Sequence, residues 1–247
     1  VYKRQILCIG GFLVTGSSNG FNQIIERDLD KLMDRTKGRP LAKGTMSLTE
    51  AFFVASFSGL IGVGMLFYLN TLTGVLGVLA LFSYVAIYTP LKRITPWAVF
   101  IGAFPGAIPP MLGWVAATGS FGLEPGILFA LQFMWQFPHF WAIAWKIDDD
   151  YLKAGFRLLP SPNGRDSLSA FLILVYTLFM IASSFLPIMF GMAGMGAAIF
   201  IAIAGIVMLI PAINLYRTNE MKSATKLMFA SFVYIPVVLI AMYFDKI

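Results

Sequence analysis

Three oxygen-bearing side chains, Asn22, Glu26 and Asp30, recur at four-residue steps in a segment that continues directly out of an apolar run. On a helix each such step drifts by only about 40°, so the three form one stripe roughly 12 Å long on a single face. Oxygen ligands without thiols or clustered imidazoles select a hard cation, and Mg²⁺ held by a few carboxylates keeps its other positions for water and phosphate oxygens. Arg35, Arg39 and Lys43 follow within one loop. Guanidinium groups suit phosphate because they present planar, paired donors. The segment therefore suits a diphosphate bound through Mg²⁺. Asp28 points about 200° away from Glu26 on the same wheel and falls off the stripe, as a partner for Arg27 or Arg35.

A second acidic run, Asp148-Asp149-Asp150, stands at the end of another apolar stretch, with Lys153 and Arg157 beyond it. Two acid clusters can hold metal ions on either side of one diphosphate and neutralise it as it leaves. Three adjacent acids also cap ordinary loops; Lys153 and Arg157 favour phosphate. His139 is the only histidine and lies about two turns deeper. It could ligate iron or accept a proton, or be a core histidine with a satisfied hydrogen bond, and the residues leave this open.

The elements that must position these groups are membrane helices. Of the 247 residues 58% are hydrophobic and 12% charged, about half the charged share of an ordinary soluble domain. The apolar runs lie near residues 6–25, 48–69, 73–90, 97–118, 125–147, 168–190, 192–215 and 224–244. Each is long enough to cross a bilayer as a helix and continuously apolar, which excludes the alternation of barrel strands. The expected fold is all-α, a polytopic transmembrane helical bundle of about eight spans around a central lipid-accessible cavity. Because these helices emerge from a membrane, an acid on them is costly and marks function more often than it does on a soluble helix, where the plainer reading is a solvated, ion-paired end.

Charge sets the topology. Fifteen of the 18 lysines and arginines fall in four segments, Arg27 to Lys43, Lys92–Arg93, Lys146 to Arg165 and Arg217 to Lys226. With the spans above, all four lie on one side, which the positive-inside rule makes cytoplasmic. Both acid clusters share that side; Lys3 and Arg4 fall on the other. The net charge of +6 implies no nucleic-acid partner, because no soluble basic domain exists to bind one. The lone Cys8 forms no internal disulfide and is expected to face lipid or be packed.

The chain resembles the UbiA superfamily of intramembrane prenyltransferases, and within it the protohaem IX farnesyltransferase (haem O synthase) branch. The motifs that carry the likeness are Asn22 through Pro40, Tyr88-Thr-Pro-Leu-Lys92-Arg93, Gly106 through Trp114 with Pro109-Pro110, Pro138-His139, and Asp149-Asp150-Tyr151 leading to Ala154-Gly155 and Leu159-Pro160. The resemblance implies that Asn22, Glu26 and Asp30 form a first metal motif and Asp149 and Asp150 the acidic part of a second, all five being catalytic. Arg35, Arg39, Lys92 and Arg93 become diphosphate contacts. Tyr151 and His139 join Lys43, Lys153 and Arg157 as substrate-binding groups. Two positions depart from the superfamily pattern: Glu26 stands where Asp is frequent, and Trp145 lies four residues before Asp149, where a second acid is frequent.

The implied reaction transfers a farnesyl group from farnesyl diphosphate to the vinyl group of haem B, giving haem O, with Mg²⁺ assisting diphosphate ionisation. The implied setting is the inner (plasma) membrane, the lipid bilayer being one partner and haem A synthase or a terminal oxidase assembly another. The likeness also implies about nine spans. With no initiator Met before Val1, the chain is expected to be one prenyltransferase domain, residues 1–247, lacking the span that would precede Ile6. Two alternatives use the same residues. A quinone-type relative would prenylate an aromatic ring, but the Pro138-His139 and Pro109-Pro110 pieces favour haem. A cation-coupled transporter would place its acids near mid-bilayer on broken helices, away from Arg and Lys.

Overall fold

The structure is a computed structural model and describes residues 2–247. Among them every regular element is helical. The order is α1 (Lys3–Asp30), α2 (Pro40–Lys43), α3 (Leu48–Leu69), α4 (Thr71–Phe82), a wider π turn over Ser83–Tyr88, α5 (Thr89–Leu91), α6 (Ala98–Thr118), α7 (Leu123–Lys153), α8 (Ser167–Ser183), α9 (Leu186–Met189), α10 (Met195–Thr218) and α11 (Met221–Phe244). Each of the eight apolar runs is helical over most of its length, the run near 168–190 being divided between α8 and α9. Six stretches are long and apolar enough to cross a membrane: Leu48–Leu69, Thr71–Leu91, Ala98–Thr118, Ser167–Met189, Met195–Thr218 and Met221–Phe244. The other two expected spans, near residues 6–25 and 125–147, fall within α1 and α7, helices of 28 and 31 residues that are not among these six. Those two are the helices whose C-terminal ends carry the acid clusters. Large apolar side chains such as Phe12, Leu60, Tyr68 and Phe244 are more than 70% exposed, the reverse of a water-soluble surface. The chain is a polytopic, all-helical membrane protein.

Helix ends are set locally. Ser47 and Glu50 form a capping box at the start of α3, the Asn70 side chain caps α4 by accepting from the Thr73 N–H, and Asp166 caps α8 by accepting from the Ser169 N–H. The π turn precedes Pro90, which has no N–H to give the Ala86 carbonyl and whose ring would collide with it.

Two compact units divide the chain. The first comprises the residues up to Pro125 together with Asp149–Phe156. In it α1 packs along α3, α3 along α4, and α4 along α6. The α1–α3 contact depends on small residues: a Cβ on Gly62 would stand 2.9 Å from the Gly10 carbonyl oxygen and from Leu13 Cβ. Such close approach maximises dispersion contact where lipid offers no hydrophobic drive. The second unit comprises Gly126–Asp148 and Arg157–Ile247. There α10 packs against α8 and α11 around Ile173, Met180, Ile201, Met208 and Tyr234, with the Tyr234 hydroxyl donating to Ser184 Oγ at 2.8 Å.

Candidate active site

In the first unit the last turns of α1 carry Asn22, Glu26 and Asp30 into the interior, where they are 6, 4 and 1% exposed. Buried carboxylates require counter-charges. Lys92 Nζ lies 2.6 Å from Glu26 Oε1 and donates to Asn22 Oδ1 at 2.8 Å. Asn22 Nδ2 in turn donates to Glu26 Oε2 at 3.0 Å. Thr89 Oγ1 lies 3.2 Å from Asn22 Oδ1 and 2.9 Å from the Tyr84 carbonyl, joining the π turn to this network. One Arg39 nitrogen reaches both Asp30 oxygens, at 2.9 and 2.8 Å, and Thr36 Oγ1 donates to the Asp30 carbonyl at 3.0 Å. These contacts fold the loop after α1 back over the stripe.

The polar cavity so formed measures about 370 Å³. Asn19, Asn22, Gln23, Glu26 and Asp30 line it from α1, Met33, Arg35 and Arg39 from the loop, Tyr84, Tyr88 and Lys92 from the π turn and its exit, and Tyr151 and Phe156 from the segment after α7. Three cations face two carboxylates, so the wall favours an anion. Lys92 Nζ also sits 5.0 Å from the centre of the Tyr88 ring, and the Arg35 guanidinium 5.7 Å from that of Tyr151. The oxygen donors fit a hard cation. Glu26 Oε1 is buried and makes no directed hydrogen bond even with Lys92 Nζ beside it. Among the described residues no group of three or more His, Cys, Asp or Glu side chains is arranged to hold a metal. A Mg²⁺ ion here would share Asn22, Glu26 and Asp30 with phosphate oxygens, as this ion usually does.

The second acidic run behaves differently. Asp150 accepts the backbone N–H of Asp34 at 2.7 Å and that of Arg35 at 3.2 Å. Lys153 bridges Asp150, at 3.1 Å, and Asp34. Lys153 and then Lys37 hold the Asp34 carboxyl down to about 2. Burial pushes Asp150 up, but the two N–H groups and Lys153 together bring it below the usual carboxylate range. Asp149 is exposed and lies outside the cavity lining, as do Asp150, Lys153 and Lys43. Asp28 pairs with Arg27 and Lys31 in solvent. Arg93, also exposed, lines a separate groove of about 380 Å³ with Ile25, Glu26 and Leu29.

In the second unit His139 Nδ1 lies 2.8 Å from Ser231 Oγ. That hydroxyl donates to the Met228 carbonyl at 2.6 Å, so it accepts from Nδ1–H and leaves Nε2 as the acceptor nitrogen. Trp135 stacks on the imidazole at 4.3 Å between ring centres. Arg157 donates to the Pro162 carbonyl at 3.0 Å.

Sequence reasoning passed over Asn19, Gln23, Thr89, Tyr84 and Phe156. Asn19 extends the polar stripe by about one turn and Gln23 widens it beside Asn22, a signal the spacing already contained. Thr89 and Tyr84 depend on the π turn, which no pattern announces. An apolar cavity of about 390 Å³ lies in the same unit, and its lining residues were not identified beforehand: α1 from Leu7 to Asn19, Leu66 of α3, Gly77, Ala80 and Tyr84, and α6 from Pro105 to Leu112. Cys8 is exposed and lies on its wall. Asn19 and Tyr84 belong to both cavities.

The family model described as the UbiA prenyltransferase family matches residues 5–234. A protoheme IX farnesyltransferase of Cytophaga hutchinsonii is 48% identical over 98% of this chain and 85% of its own length. Among solved structures, one of digeranylgeranylglyceryl phosphate synthase in membranes superposes with a TM-score of 0.80 at 20% identity, covering 98% of this chain and 85% of the other. A UbiA homolog from Archaeoglobus fulgidus bound to GPP and Mg²⁺ gives a TM-score of 0.61 at 13% identity, over 98% and 89% of the two chains.

Proposed function

The chain belongs to the UbiA prenyltransferase family, and from that premise we propose that it transfers the farnesyl group of farnesyl diphosphate to a vinyl group of haem B, giving haem O, with all of its 247 residues acting as one prenyltransferase domain. The observation that carries this reading is the junction of two cavities in the first unit: a cationic, oxygen-lined pocket shares Asn19 and Tyr84 with an apolar one, as an amphiphile with an anionic head and a hydrocarbon tail requires. The named relative supports the choice of haem as acceptor.

Arg35, Arg39 and Lys92 bind the diphosphate. Mg²⁺, when bound, neutralises phosphate oxygens; Asn22, Glu26 and Asp30 would hold it, with Asp149 and Asp150 as the acids of a second position. As the bond from farnesyl C1 to oxygen breaks, its electron pair leaves with diphosphate, and the three cations stabilise that charge. The faces of Tyr84, Tyr88, Tyr151 and Phe156 shield the allylic cation. The terminal vinyl carbon then bonds to C1, the neighbouring carbon takes water oxygen, and the water's proton is lost to solvent. Asp150 holds the loop that carries Arg35, while its carboxylate oxygens retain lone pairs. Exposed Lys43, Lys153 and Arg93 add positive charge that draws an anionic donor toward the pocket. His139 presents the Nε2 lone pair to haem iron or to a proton, and Arg157 belongs with the substrate-binding set. The basic segments support a cytoplasmic-side position for the pocket in a bacterial plasma membrane.

Membranes carrying the protein, incubated with haem B, farnesyl diphosphate and Mg²⁺, are expected to accumulate haem O, read by mass spectrometry. No haem O above that from an Asp30→Ala chain overturns the assignment.

A further inference from the structure

We propose that Gly11 on α1 sets the length of the prenyl donor, admitting three isoprene units where a larger side chain would admit two. The inference rests on the function proposed above, because it takes the apolar cavity as the seat of the donor's tail. Three observations carry it. The cavity begins where the polar pocket ends, at Asn19 and Tyr84, and continues along α1 past Gly11 to Leu7. At 1.5 Å per residue, Gly11 stands about 12 Å and Leu7 about 18 Å below Asn19. An isoprene unit adds four bonds to the line of the chain, roughly 4.5–5 Å when extended. Two units therefore end short of Gly11, whereas the third passes it and ends short of Leu7.

The third observation is the empty space at Gly11 itself. A Cβ built there meets no atom within 4 Å, although Gly11 is part of the cavity wall. Gly10, one residue away, is tightly packed, with neighbours of α3 3.2 Å from its would-be Cβ. Glycine at 10 is thus explained by helix packing, and glycine at 11 is not. A side chain at 11 would project into the cavity at the depth of the third unit without moving α1 against α3. Helix propensity favours almost any residue over glycine at this mid-helix position, so the substitution does not threaten the helix.

The test compares Gly11→Ala, Gly11→Leu and Gly11→Phe with the parent protein in membranes, supplying haem B and Mg²⁺ with geranyl or farnesyl diphosphate and weighing the prenylated haem. The quantity read is the ratio of kcat/KM for the two donors, which does not depend on the amount of folded protein. The ratio is expected to move toward the geranyl donor in the order Ala, Leu, Phe, by about 10- to 200-fold for Phe, the discrimination an apolar pocket gives per small change in fit. Gly16→Phe, on an exposed face of the same helix with nothing within 4 Å, is expected to keep the parental ratio. An unchanged ratio in Gly11→Leu, whatever the total activity and even if Gly11→Phe is inactive, overturns the proposal. So does an equal shift in Gly16→Phe. A parent chain that prenylates no haem with either donor refutes instead the function on which the proposal stands.

Discussion

Asp30 and Asp150 are both aspartates at the end of a long helix, both on acid-rich segments, yet they do different work. Asp30 is 1% exposed and its charge is met by a guanidinium within its own cavity. Asp150 is half-buried, and its oxygens accept backbone N–H groups of the loop that begins just after Asp30. The first arrangement keeps a carboxylate beside the place where an anion and a metal would bind. The second fixes a piece of backbone and leaves the carboxylate's remaining lone pairs for the second metal position proposed above. The difference teaches that acid-rich sequence marks the neighbourhood of a site, while burial and the kind of donor that meets each carboxylate decide its role.

Asp30→Asn keeps the shape and removes the charge, and is expected to lower kcat/KM for haem prenylation by about 10²–10³, the scale of losing one strong electrostatic contact in a catalytic site. A loss below tenfold would erase the distinction between the two aspartates. Asp150→Asn is expected to cost about 10- to 100-fold, as the loss of a group that orients another does, and to raise KM for the prenyl diphosphate more than it lowers kcat. A kcat effect alone would move Asp150 into the same class as Asp30.

The loop tether also has a pH signature. Lys153 and Lys37 hold Asp34 down to about 2, below its ordinary value of 3.8, so its contribution is complete above about pH 4 and is lost as pH falls through about 2. Protease cleavage between Lys31 and Arg39 is expected to quicken over that window in the parent protein and to be fast already at neutral pH in Asp150→Asn. Asp28→Ala removes only exposed ion pairs and is expected to change activity by less than about twofold. A larger effect would show that the stripe reading of α1 is too narrow.

The architecture was legible because a bilayer permits few solutions. Every backbone group must be satisfied within its own segment, so each long apolar run had to be a helix. The stripe of Asn22, Glu26 and Asp30 was legible for a related reason, since helical spacing alone puts them on one face. The contacts of Asp150 were not, because they join residues more than 100 positions apart and depend on how the loop after α1 turns. Nor was the Asp30–Arg39 pair, nine residues apart across that same turn. A lipid-accessible cavity was expected, but its lining was not legible, because hydrophobic side chains read alike whether they face lipid, a neighbour or an empty volume.

The π turn at Ser83–Tyr88 has a consequence for how Lys92 comes to face Glu26. Widening the coil there inserts an extra residue into one revolution, and every side chain downstream is rotated by about 100° from where an unbroken α-helix would aim it. Removing a single residue from this stretch, leaving all chemistry-bearing groups in place, would swing the Lys92 ammonium away from Glu26 and Asn22 and strand a buried negative charge. Angular phase along one helix, with no change of composition, thus separates a charged pocket that is balanced from one that is not.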